Sequence, residues 1–230
     1  MTMCYTKNLK WVLTSITLVL IYSGFSQENF TAYWQPSIAI NYDVTGTYSH
    51  NFSIQNRNYI YNNENVNLEV RQIDVVHFSN FKLQDNQSLA FGILYRLREN
   101  FDGGANELRL TQQYNLQHKP RVIRYGHRLR TEQRITTLKT VHRFRYRFSL
   151  DFPMQGEKLD IGESYFVGNL ENLLSVTSAK PQYDARFTLN FGWKLSEKTK
   201  FQIGSEYRLE DYNKNLEQVL FFLSALNISL

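Results

Sequence analysis

The chain has 230 residues and carries 26 Lys+Arg against 21 Asp+Glu, a formal net charge of +5. With 15% aromatic residues and only 4 Pro and 11 Gly, it fits neither a disordered chain nor a collagen-like or low-complexity one. The lone cysteine, Cys4, excludes a disulfide framework and a cysteine-based zinc site. Beyond residue 26 no apolar run is long enough for a membrane-spanning helix.

The first element is an address. Lys7 and Lys10 give a short positive region, residues 11–22 (WVLTSITLVLIY) form an apolar run, and Gly24 and Ser26 occupy the small-residue positions of a cleavage site. This pattern predicts a secretory signal peptide over residues 1–26, cut after Ser26, with one domain over residues 27–230. The run is short for a spanning helix, and Cys4 would leave with the signal.

Period-two alternation then dominates, the mark of strands with two different faces. In residues 33–44, Ile38, Ile40, Tyr42 and Val44 share a face, although Pro36 weakens the early part as a paired strand. Leu89, Phe91, Ile93, Tyr95 and Leu97 oppose Gly92, Arg96 and Arg98. Leu108, Leu110, Tyr114 and Leu116 alternate through residues 106–117. Phe144, Tyr146, Phe148, Leu150 and Phe152 oppose Arg143, Arg145, Arg147, Ser149 and Asp151. The cleanest stretch is 183–195, with Tyr183, Ala185, Phe187, Leu189, Phe191, Trp193 and Leu195 on one side. Phe201, Ile203, Tyr207 and Leu209 follow, and then Leu220, Phe222, Leu226, Ile228 and Leu230. Short connectors near 81–87, 117–120, 153–157 and 196–199 alternate with longer ones near 57–65, 99–105, 134–140, 169–182 and 211–215. The expected fold is therefore all-β, an up-and-down antiparallel barrel with tight turns at one rim and longer loops at the other.

Such alternation suits a soluble barrel with an apolar interior or a transmembrane barrel with an apolar exterior. Three features favour the transmembrane form. The alternating segments are longer than the usual globular strand of about 5–6 residues. Tyr125, Tyr165, Tyr183, Trp193 and Tyr207 lie near strand ends, as in an interfacial girdle. The last strand runs to residue 230. Ten segments alternate from about residue 46, and 33–44 adds an eleventh. Because bacterial single-chain barrels have even strand numbers, ten strands are expected, with twelve the alternative.

The signal peptide, YGHRLRTEQR at 125–134, HRFRYRFSLDFP at 142–153 and LNFGWKLSEKTKFQIGSEYRL at 189–209 resemble a bacterial domain-of-unknown-function family of small barrels from Bacteroidetes-type organisms. The resemblance is best from about residue 88 to 211 and rests on wall patterns. It implies an outer-membrane barrel and supplies no functional residues.

Arginine carries the chemistry. Eleven of 15 Arg lie between Arg96 and Arg147; with Lys119 and Lys139, and against Glu99, Asp102, Glu107 and Glu132, the segment carries 13 − 4 = +9. Alternation places Arg124, Arg128, Arg130 and Arg134 on one face and Arg143, Arg145 and Arg147 on one face of the next strand. If the apolar faces meet lipid, these residues point into the lumen, together with Arg96, Arg98, Arg109, Glu132, Arg186, Glu206 and Arg208. Such a lumen either attracts anions, since guanidinium forks match carboxylate and phosphate, or is a structural ladder with Glu69, Glu107, Glu132, Glu206 and Glu210 between the cations. His50, His77, His118, His127 and His142 have no metal-binding spacing, and no GxSxG is present. The reading is a non-enzymatic outer-membrane barrel, structural or a narrow anion-preferring solute path, without cofactor. Its partners would be outer-membrane lipid, the insertion machinery and small anionic solutes, not nucleic acid. The alternatives are a barrel hydrolase acting on lipid or envelope polymer, and a secreted soluble barrel that binds a ligand.

Overall fold

The computed structural model describes residues 30–62, 64–177 and 181–230. The expected signal peptide, residues 1–26, lies outside them. Eleven strands close into a barrel: β1 (Phe30–Asp43), β2 (Tyr48–Asn62), β4 (Val70–Gln84), β5 (Gln87–Leu97), β6 (Glu107–His118), β7 (Arg124–Ile135), β8 (Thr140–Pro153), β9 (Ser164–Val176), β10 (Gln182–Lys194), β11 (Thr199–Glu210) and β12 (Glu217–Ser229). The two-residue β3 (Asn65–Val66) only folds back on the end of β2, and a single-turn helix α1 (Glu99–Asp102) caps the β5–β6 connection. No described helix is long and apolar enough to cross a membrane, which says nothing of a barrel that crosses with strands.

The count is neither ten nor twelve. Each hairpin reverses the chain, so an eleventh strand runs in the direction of the first, and the wall can close only through a parallel pair. That pair is β1 with β12, in register from Phe30 opposite Gln218 to Asn41 opposite Ser229. All other neighbours are antiparallel. The segment with Pro36 is a wall strand after all, and it is the seam strand. The Trp34 indole donates to Ser224 Oγ across this seam at 3.3 Å.

The rims are less unequal than expected. One rim holds the connections 44–47, 85–86, 119–123, 154–163 and 195–198; the other holds 98–106, 136–139 and 211–216, together with the described residues 64–69 between β2 and β4 and 177 and 181 between β9 and β10. The 154–163 connection, expected to be short, is the longest of its rim. Residues 169–176, expected to be a loop, belong to β9. Inward Tyr165, Val167 and Leu173 and outward Gly168 and Asn172 mix apolar and polar residues on both faces, which hides the alternation.

Side chains are sorted opposite to a water-soluble core. Leu189 on the outer wall is 56% exposed, whereas Glu132 on the inner face is 1% exposed. Buried charged residues outnumber the few buried apolar ones, among which Tyr33, Val219 and Phe221 cluster inside the β1–β12 seam. Two inward rings lie over glycine. A Cβ on Gly92 would sit 2.6 Å from Phe78 Cζ, and one on Gly192 would sit 2.5 Å from Tyr165 Cζ, so each glycine leaves the room its cross-strand ring occupies. Tyr165 therefore belongs to the interior and not to an outer aromatic girdle, while Tyr125, Tyr183, Trp193 and Tyr207 stand on the outer face.

Candidate functional site: the arginine–carboxylate belt

Strand alternation sends every second residue inward, and on β4 through β11 those positions carry charge in the half of the barrel nearer the 98–106 rim. Arg96 forms a two-pronged pair with Asp74, both bonds 2.8 Å. Glu107 receives Arg109 and Arg134, each at 2.6 Å. Glu132 receives Arg145 at 2.6 Å, with Arg130 at 3.5 Å and Arg109 at 3.6 Å. Glu171 receives Arg145 at 2.5 Å and Arg147 at 2.8 Å, with Arg186 at 3.8 Å. Arg143 bonds Ser175 Oγ at 2.9 Å and lies 3.9 Å from Asp184. Arg208 pairs with Glu206 at 2.5 Å, and Thr188 also donates to Glu206.

The interior thus gathers Arg96, Arg109, Arg128, Arg130, Arg134, Arg143, Arg145, Arg147, Arg186 and Arg208 with Glu132 and Glu206. Arg98 and Arg124 stand apart. Arg98 lies past the end of β5 and pairs with Asp102 of α1 at 2.9 Å. Arg124 sits at the opposite rim, half-exposed, paired with Asp151 at 2.8 Å. Glu69 is exposed on a rim connection, so it does not space the ladder.

Several belt residues were not singled out from the sequence. Glu171 is hidden by the blurred alternation of β9, and Asp74 by the apolar residues on both faces of β4. Asp184 does fall on the polar face of the 183–195 alternation. Arg57 and Arg71 lie outside the dense 96–147 segment. They frame the seam: the Phe221 ring centroid lies 3.8 Å from the Arg208 guanidinium carbon and 4.8 Å from that of Arg57, and Arg71 lies 5.0 Å from the Tyr33 ring. Arg71 also bonds the Tyr33 hydroxyl.

At the rim, α1 ties the belt to the loop. Asp102 accepts from Arg98 and from the Gly104 amide at 3.0 Å, and meets Arg71 at 3.3 Å. Burial alone would raise the Asp102 carboxyl, but these donors and cations outweigh it and hold the carboxyl below the ordinary 3.8.

The belt encloses a cavity of about 620 Å³, walled by Arg57, Arg128, Arg130, Arg145 and Arg147 among others. A second cavity of about 520 Å³ opens at the other rim between Lys119, Arg124, Lys200, Asp151 and Glu157. All five histidines fall on the outward face. His50 and His77 bond each other at 2.9 Å, and His127 bonds the Tyr146 hydroxyl at 2.9 Å. Among the described residues no group of three or more His, Cys, Asp or Glu is arranged to hold a metal ion.

Fold and interior together define a closed β-barrel with a buried, arginine-rich belt. The chain belongs to the family described as Protein of unknown function (DUF2490), which matches residues 31–220. That span contains the three barrel stretches on which the sequence resemblance rested. No curated protein and no solved structure matches the chain.

Proposed function

We propose that the protein is an integral barrel of the bacterial outer membrane whose lumen is a narrow, anion-preferring path. The observation that carries this reading is the inverted burial: a closed wall exposes Leu129, Phe144, Phe187 and Leu189 while Glu132, Glu171, Arg145 and Arg186 are buried inside. In water such a wall would leave a large continuous apolar surface exposed; in lipid it is the favourable solvent-facing side. The outward polar groups fit a dry surrounding as well. Gln112 and Gln133 exchange side-chain bonds at 3.1 and 3.2 Å, His50 bonds His77, and the Tyr48 hydroxyl meets Ser79 Oγ at 3.2 Å. Pairing of this kind satisfies groups that lipid cannot. The strands, 11–15 residues long, meet or exceed the ~9–11 that a tilted crossing needs.

Anion preference follows from the interior charge. Thirteen arginines line or rim the main cavity. Their acidic partners and neighbours are Asp74, Asp102, Glu107, Glu132, Glu171, Asp184, Glu206, Glu210 and Glu217, nine in number, leaving 13 − 9 = +4. Lipid and, during biogenesis, the insertion machinery are the partners this reading implies. The hydrolase alternative draws nothing from the lumen, into which no histidine points, and the soluble ligand-binding alternative requires an apolar interior.

The test is twofold. The protein should fractionate with outer membranes and migrate faster on a gel before boiling than after. In planar bilayers it should give small conductances with a reversal potential favouring anions. Recovery as a soluble periplasmic or secreted protein would end the membrane reading, and a large cation-selective conductance would end the lumen reading.

A further inference from the structure

On β7 and β8 two consecutive cross-strand rungs pair arginine with arginine, Arg128 with Arg147 and Arg130 with Arg145. Like charges directly opposite each other destabilise a sheet. The available carboxylates offset only part of this. Glu132 and Glu171 are shared among five arginines, 109, 130, 145, 147 and 186. Arg128 joins them with no carboxylate within 4.0 Å among the described residues. Arg109 is answered at closer range by Glu107, at 2.6 Å, so the remaining five cations against two anions leave 5 − 2 = +3 on one stretch of cavity wall.

The Arg128–Arg147 rung is also held in place. Arg128 Nε donates to Asn115 Oδ1 at 3.1 Å, and Arg147 Nε donates to Glu171 at 2.8 Å. Each guanidinium is anchored through Nε, and its terminal nitrogens carry no hydrogen bond to the described residues. Both side chains line the 620 Å³ cavity. Next along the strands, away from the belt, come Gly126, Ser149 and Asn169, which add no charge to the rung.

We propose that this rung is a binding site for a small phosphate-class oxyanion. Two adjacent forks present more donors than one planar carboxylate can use, whereas a tetrahedral oxyanion offers several oxygens to both. A charge of up to −2 also answers the local excess better than a monocarboxylate does. The proposal deepens the anion-path reading and rests on it for the ligand's route of entry.

The experiment is calorimetric titration of the full-length mature barrel, folded in detergent, with inorganic phosphate, with acetate as the comparison anion. Arg128→Gln and, at the opposite rim, Arg124→Gln are titrated in parallel. Phosphate should bind the parent, and Arg128→Gln should weaken it by about tenfold or more, the loss of one charge-assisted contact. Arg124→Gln should change it less than twofold. Because Arg128→Gln relieves repulsion, its melting temperature in phosphate-free buffer should match or exceed the parent's, and added phosphate should raise the parent's and not the variant's. Acetate binding as tightly as phosphate, or phosphate binding unchanged in Arg128→Gln, would overturn the site. No phosphate binding beside an anion-selective conductance would overturn the site and leave the path. Phosphate binding in a barrel that does not conduct would overturn the path and leave the site.

Discussion

Replacing Arg145 with Leu tests whether the belt holds the barrel together. The Arg145 side chain is 7% exposed and bridges Glu132 at 2.6 Å and Glu171 at 2.5 Å. Glu171 would keep its 2.8 Å bond to Arg147. Glu132 would not fare as well: its side chain is fully buried, Arg145 supplies its hydrogen bond, and its next cations lie at 3.5 and 3.6 Å. One carboxylate would thus be left charged and without a hydrogen bond in the interior. Removing one partner of a buried pair costs about 3–5 kcal/mol. Since two cations remain near Glu132, the expected loss is about 3 kcal/mol, the low end of that range, despite the greater apolarity of Leu. Urea unfolding from lipid vesicles, followed by Trp34 and Trp193 fluorescence, measures it. Adding Glu132→Leu should recover part of the loss, because the orphaned charge is gone. A single-variant loss below about 1 kcal/mol, or no recovery in the double variant, would refute the reasoning.

Other outcomes are expected. Leu189→Arg, at mid-strand on the outer wall, should cost about 2–4 kcal/mol of folding into bilayers, while Ser149→Ala on the inner face should cost far less in the same unfolding assay; equal costs would count against a lipid-facing wall. Thr188 is not a silent control for the inner face, because it is buried and donates to Glu206 at 2.9 Å. Gly92→Ala should lose about 1–3 kcal/mol by forcing the Phe78 ring aside, and Phe78→Leu in the same background should restore some of it. The 98–106 loop should resist proteolysis at pH above the ordinary Asp value of 3.8 and loosen only as pH falls through the lower value that Asp102 has in the folded chain; Asp102→Asn should loosen it at all pH values.

The alternation of apolar and polar residues in 89–97, 143–152 and 183–195 determined by itself that these segments are strands and which side chains share a face. A strand has a period of two, and no tertiary contact is needed to establish it. It also concentrated arginine on single faces of β7 and β8. Closure was beyond it. Strand parity depends on how the ends meet, and only the assembled wall shows that β1 runs parallel to β12, making eleven strands. The partners of the arginines were likewise out of reach. Glu171 is 24 residues from Arg147 and Asp74 is 22 from Arg96, brought side by side by register and not by spacing. Where both faces of a strand mix polar and apolar residues, as in β9, the pattern is lost, and so was the carboxylate it carries. The glycine devices belong to the same class: that Gly92 and Gly192 make room for Phe78 and Tyr165 is a property of two strands in register, which neither sequence contains alone.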